Sequence, residues 1–131
     1  MIVVDTSAVI GALTLWPLHT RLRDRLAPDK ELHAPHLIDV EFSHALGRMV
    51  SRGVLSLARA HDARLDFADM LILRYGHESL LDRIWELRQN LSAYDAAYIA
   101  LSEALDAPLI TCDPKLAGAP GHHARIELYA S

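Results

Sequence analysis

The sequence predicts an α/β fold built on a mainly parallel sheet with helices on both faces, and three observations predict it. Short, uninterrupted apolar runs such as Ile2-Val3-Val4 and Leu109-Ile110 recur along the chain. Longer stretches with helical apolar spacing separate them. No internal repeat, low-complexity tract or Gly/Ser/Pro-rich linker breaks the alternation. Strands that alternate with helices pair side by side through right-handed crossovers, which leaves helices over both faces. At 131 residues the chain fits one domain, 1–131, long enough to bury a core without staples.

Each element follows from local chemistry. Residues 2–4 suit a strand buried on both faces, ending at Asp5. Thr6 and Ser7 can open a helix over 8–13. Pro17 is tolerated in a first helical turn and Asp29 marks a turn, so a second helix is expected over 18–27. A weak strand over 31–34 is stopped by Pro35. A long helix follows over 36–51, with Leu37, Val40, Ala45, Leu46, Met49 and Val50 as its apolar positions, and Gly53 just beyond its end. Residues 56–68 read as a helix marked by Leu57, Ala60, Leu65 and Ala68. Residues 70–73 are ambiguous, with a short strand as one reading. An amphipathic helix over 79–88 and an alanine-rich helix over 92–105 precede a strand at 108–111, a helical turn at 114–117 and a closing strand at 126–129.

Composition narrows the function classes. Hydrophobic residues make up 51% and charged residues 23%, ordinary values for a soluble protein. No apolar run approaches the roughly 20 residues needed to span a bilayer, and Met1 to Asp5 lacks the basic region and apolar stretch of a secretion signal. A cytoplasmic location is expected. The single cysteine, Cys112, can form no internal disulfide and gives no zinc-ligand spacing; beside Leu109 and Ile110 it reads as a small buried filler. The net charge of −4 argues against broad, metal-free affinity for nucleic acid. It leaves room for a metal-dependent nuclease, because divalent cations reverse the local charge and Arg21, Arg23 and Arg25 cluster. None of the eight histidines forms a metal motif, so they are read as surface or structural residues. Trp16 and Trp85 are read as packing residues, with a dimer contact as the alternative.

Four acids carry the chemistry. Asp5 and Asp113 each follow an apolar strand, and ligands in open α/β sheets bind outside the carboxyl ends of strands. Taken singly, Asp5 also fits a helix cap and Asp113, before Pro114, a turn. Glu41 lies in the first half of the long helix, where a surface position is the alternative and Asp39 is a competing acid. Ser92-Ala93-Tyr94-Asp95 matches a capping box with Asp in place of Glu or Gln, so Asp95 has a structural role available as well. Gathered together, such acids suit a hard divalent cation, which relieves their repulsion and promotes hydrolysis of a phosphodiester.

The segments Asp5-Thr6-Ser7-Ala8, Glu41, Ser92-Ala93-Tyr94-Asp95-Ala96-Ala97-Tyr98 and Thr111-Cys112-Asp113-Pro114-Lys115-Leu116 make the chain resemble PIN-domain ribonucleases, specifically the VapC toxins of bacterial type II toxin–antitoxin pairs. They stand in the family's order along nearly the whole chain, with no departure at the four acidic positions. The resemblance implies a compact three-layer α/β/α sandwich. It implies Mg²⁺ or Mn²⁺ held by Asp5, Glu41, Asp95 and Asp113, and an endoribonuclease that hydrolyses RNA with a metal-activated water. It also implies a homodimer silenced by a cognate VapB-type antitoxin. Ser7 and Thr111 are candidates to orient a neighbouring carboxylate or water. Arg88 and Asn90 are candidates for RNA-backbone contact, with surface charge and helix termination as alternatives. Leu13, Leu15, Trp16, Leu18, Leu22, Phe42 and Leu46 either line a groove for an antitoxin helix or pack the core.

Two rivals stand beside this reading. Haloacid-dehalogenase-like phosphatases also begin with an Asp after the first strand, but need a second Asp where this chain has Ser7. A catalytically silent PIN-like RNA-binding or interaction module would be favoured by a missing acid.

Overall fold

The computed structural model describes residues 1–14, 20–27 and 31–129. Five parallel strands, β1 (Ile2–Val4), β2 (Leu32–Pro35), β3 (Ile72–Tyr75), β4 (Leu109–Thr111) and β5 (Ile126–Leu128), form one sheet in the order β3-β2-β1-β4-β5. The ambiguous stretch is thus an edge strand, and β2 extends through Pro35. β1 pairs with β2 on one side (Ile2 with Leu32) and with β4 on the other (Val4 with Ile110). The central strands are buried throughout, which is why they read as unbroken apolar runs rather than alternating ones.

The order fixes the layers. From β1 the chain steps outward to β2 and β3 through α1 (Thr6–Thr14), α2 (Thr20–Arg25), α3 (Ile38–Ser51) and α4 (Leu57–Asp69). It then returns across the sheet to β4 through a 3₁₀ turn, α5 (Leu81–Glu86) and α6 (Ala93–Leu105), and reaches β5 after α7 (Pro114–Gly118). Right-handed crossovers in opposite directions put α1–α4 on one face and α5–α7 on the other. Contacts agree: α1 packs on α3 and α4, whereas α6 packs on α5 and on β1, β2 and β4. This is the expected three-layer α/β/α sandwich.

Packing corrected several helix faces. The buried side of α3 is Ile38, Phe42 and Leu46, an i, i+4, i+8 stripe, while Val40 is 74% exposed. In α4 the buried side is Ala60, Ala63 and Phe67, and Leu57 and Leu65 face out. The two stripes meet where Phe42 stacks on Phe67 with ring centroids 4.0 Å apart. Helix α6 is buried continuously from Ala96 to Ser102, because it lies between the sheet and α5, and alanines let it approach closely. Trp85 is 67% exposed rather than packed in the core. Leu15, Trp16, Leu18 and the expected helix start at Pro17 lie outside the described residues.

Candidate active site

The sheet reverses direction between β1 and β4, the strands that Asp5 and Asp113 follow. Neighbouring strands whose connections leave in opposite directions open a crevice at their carboxyl ends, and ligands bind there. Helices start at this edge. Asp5 precedes α1, Glu41 lies in the first turn of α3, Asp95 in the first turn of α6, and Asp113 caps α7. All four acids therefore sit at helix N-termini, where the helix dipole favours negative charge.

Asp5 is the most constrained of them. It is buried, and its Oδ1 accepts from the Ser7 hydroxyl (2.7 Å) and the Ala8 backbone N–H (2.9 Å). Its Oδ2 accepts from the Thr111 hydroxyl at 2.5 Å. Helix cap and site acid are thus one residue. Burial, with a smaller contribution from the charge of Asp113, pushes its pKa from 3.8 up to about 6 despite the three donors. The Ser7 oxygen accepts from Cys112 N–H (2.9 Å) and the Thr111 oxygen from Asp113 N–H (3.0 Å). These hydroxyls tie the loop after β4 to Asp5.

The remaining acids are less enclosed. Asp113 Oδ1 accepts from Lys115 N–H at 2.9 Å. Ser92 caps α6 by accepting from Asp95 N–H at 3.1 Å, as the capping-box pattern predicts. The Asp95 carboxyl is pushed above its ordinary value by partial burial and then by the charges of Asp113 and Glu41. Asp113 thus repels both Asp5 and Asp95, and Glu41 repels Asp95, so the four form one electrostatic group. Glu41 Oε1 accepts from Tyr98 Oη (2.6 Å) and Thr6 Oγ1 (3.0 Å). Neither role was read from the sequence, although Tyr98 lies three residues after Asp95 and so on its helix face.

 Counter-charge separates these four from several other acids of the chain, Asp39 above all. Asp39, the competing acid on α3, is gripped by Arg74 through three contacts: Nε donates to Oδ1 and Oδ2 at 2.9 Å each, and Nη2 donates to Oδ1 at 2.8 Å. Glu103 is paired with Arg83, Glu127 with Arg25 and Asp106 with Arg125. Among the described residues no Lys, Arg or His pairs with Asp5, Glu41, Asp95 or Asp113. Nor are the four closed into a ligand cage: among the described residues no three His, Cys, Asp or Glu side chains are gathered tightly enough to hold an ion. The all-oxygen chemistry of the four acids fits Mg²⁺ or Mn²⁺. Asp39→Asn is expected to keep RNA cleavage within about twofold, whereas Glu41→Gln loses at least tenfold, because only Glu41 belongs to the uncompensated group. Parallel cleavage assays on the two variants check this.

The other candidates divide. Arg88 is exposed, with its guanidinium 4.6 Å from the centre of the Trp85 ring and Nη1 donating to the Trp85 carbonyl at 3.0 Å. The Asn90 amide lies against Gly121, whose φ of +92° suits glycine and where a Cβ would come within 2.5 Å of Asn90 Nδ2. Asn90 therefore packs against the loop before β5. In the Arg21, Arg23 and Arg25 cluster, Arg25 is committed to Glu127 and Arg21 lies over Tyr129. Leu22, Phe42 and Leu46 belong to the core and cannot line an open groove. Cys112 is half-buried rather than enclosed, and burial pushes its thiol up to about 11. Of the histidines, His33 is buried between Tyr75 Oη and Glu31, a structural role.

Comparison with known proteins agrees with this fold and gives the family. The family model for the PIN domain matches residues 2–121. Ribonuclease VapC9 of Mycobacterium tuberculosis is 42% identical over 116 residues, 88% of this chain and 88% of that protein. Ribonuclease VapC1 of the same organism is 42% identical over 128 residues, 96% of each chain. The crystal structure of Mycobacterium tuberculosis VapC20, a toxin that cleaves the sarcin–ricin loop, aligns with a TM-score of 0.62 at 18% identity, over 92% of this chain and 97% of that one. With its sheet order, its acidic edge and relatives of this similarity along most of their length, the chain belongs to the PIN-domain family, among the VapC ribonucleases.

Proposed function

We propose that this protein is the toxin of a VapBC-type pair, an endoribonuclease that hydrolyses RNA phosphodiesters with Mg²⁺ or Mn²⁺ held by Asp5, Glu41, Asp95 and Asp113. The observation that carries this reading is the gathering of like charge at one sheet edge: Asp113 repels Asp5 and Asp95, Glu41 repels Asp95, and among the described residues none of the four has a basic partner, whereas Asp39, on the same helix as Glu41, is neutralised by Arg74. A divalent cation bound there would stabilise the charge developing on the phosphate and make the attacking water more acidic.

The chain's own groups do the positioning. Three donors hold Asp5 in one rotamer, and two hydroxyls hold one oxygen of Glu41. Asp113 spends one oxygen on α7, and its other oxygen faces no recorded protein donor among the described residues. The Arg88–Trp85 pair offers an exposed cation and an exposed ring to RNA, in the segment that leads into the Asp95 helix. The VapC relatives support pairing with a VapB-type antitoxin; a homodimer is the assembly proposed with it. Among the described residues no helix is long and apolar enough to cross a membrane.

The catalytically silent module is favoured only by the lack of a preformed ligand cage among the described residues. One experiment separates it from the nuclease. Brief expression without an antitoxin, followed by mapping of RNA ends, is expected to slow growth and give discrete new ends for the wild type and neither for Asp95→Asn. Normal growth and an unchanged RNA profile, with abundant folded protein, would establish the silent module instead.

A further inference from the structure

Tyr98 is fully buried, yet its hydroxyl ends in the acidic group rather than in the core. It donates to Glu41 Oε1 at 2.6 Å, Thr6 Oγ1 reaches the same oxygen at 3.0 Å, and the two hydroxyls lie 3.0 Å apart. A tyrosine has one proton to give, and the shortest of the three contacts places it on Glu41. Glu41 Oε1 is therefore occupied, while among the described residues no hydrogen bond is recorded to Oε2. Tyr98 and Asp95 stand three apart on α6 and share a face of that helix. Glu41 comes from α3, on the opposite face of the sheet. The Tyr98 hydroxyl thus ties the carboxylate of one helix layer to the Asp95 helix of the other, across a pair of acids that repel each other.

We propose that Tyr98, supported by Thr6, is a positioning residue: it fixes Glu41 Oε1 so that Oε2 is presented to a divalent cation shared with Asp95. The proposal rests on the metal-site reading above. The choice of residue type has a chemical reason. A lysine or arginine at this position would neutralise Glu41 and compete with the cation. A phenol supplies a strong hydrogen bond without a charge. An ordinary phenol keeps its proton near neutral pH, so it can donate.

The test is Mn²⁺ binding to RNA-free protein by electron paramagnetic resonance, on wild type, Tyr98→Phe, Thr6→Val and Thr6→Ser. Tyr98→Phe keeps the ring in the core and removes one donor to a charged group, and is expected to weaken Mn²⁺ binding roughly tenfold. Thr6→Val is expected to weaken it a few-fold, with Thr6→Ser restoring it. The double variant Tyr98→Phe/Thr6→Val should fall short of the product of the two losses, because both donors act on one oxygen. In RNA cleavage, the Mn²⁺ concentration for half-maximal rate should rise about tenfold in Tyr98→Phe while the rate at saturating Mn²⁺ falls much less. If wild type binds Mn²⁺ and Tyr98→Phe binds it equally well, Tyr98 is only a packing residue and the proposal is overturned. If folded wild type binds no Mn²⁺, the metal-site reading fails, and the proposal with it. Should Tyr98→Phe not fold, the Thr6 variants decide: equal affinity in Thr6→Val and Thr6→Ser would overturn the shared-oxygen arrangement.

Discussion

Asp5→Asn is expected to reduce RNA cleavage by at least about a thousandfold while making the metal-free protein more stable at pH 7.5. The two effects share a cause. Asp5 is buried, and its pKa stands at about 6 against 3.8 for an ordinary aspartate. The folded state therefore holds this proton more tightly than the unfolded state does. Between about pH 4 and 6 the native protein binds more protons, so stability falls as pH rises through that window. Above pH 6 the full cost of the buried charge is present, on the order of 2–3 kcal/mol. Asparagine removes that charge and can still accept from Ser7 and Ala8, although its amide makes Thr111 turn from donor to acceptor. A net gain of about 1 kcal/mol corresponds to a rise of roughly 3–5 °C in melting temperature. Thermal melts in a chelator at pH 7.5 and pH 4 check the sign. The gain should be present at pH 7.5 and be largely lost near pH 4, where Asp5 is protonated in the folded state and partly protonated in the unfolded chain. A lower melting temperature at pH 7.5, or cleavage at the wild-type rate, would contradict this account.

The second large effect is stabilisation by the cation itself. At a concentration about 100 times its dissociation constant, Mg²⁺ or Mn²⁺ should stabilise the wild type by about 2.7 kcal/mol. That corresponds to roughly 8–13 °C at about 3–5 °C per kcal/mol. The shift should shrink as pH falls through 6, because protonating Asp5 removes a ligand and cancels part of the repulsion that the cation relieves. It should be largely lost in Asp5→Asn and Asp113→Asn and retained in Asp39→Asn, whose carboxylate belongs to Arg74. Titrating each protein with Mn²⁺ during thermal melts measures this. An equal cation shift in wild type and Asp113→Asn would place the ion elsewhere.

Such predictions depend on which residues the fold brings together. The strand–helix alternation was legible because its signals are local: β-branched runs, the Ser56 and Ser92 caps and the positions of Asp5 and Asp113 just past apolar strands. Helix faces were less legible. The 36–51 region offers several apolar residues, and periodicity alone ranked Val40 with Leu46. The stripe containing Phe42 is buried because Phe67 of α4 lies opposite it. Trp85 reads from the sequence as a packing residue or a dimer contact, whereas α5 turns it outward and Arg88 covers part of it.

The acidic site shows the same division. By itself the sequence determined the four carboxylates, their places at strand ends and helix starts, and the α/β class. Tertiary structure alone decided that β4 lies beside β1, so that Thr111 can bond to Asp5 106 residues away. It also decided between two acids on one helix, giving Asp39 to Arg74 and Glu41 to Tyr98. Local propensity acts over a few neighbouring residues, whereas a charge is neutralised or left unpaired according to what the folded chain sets beside it.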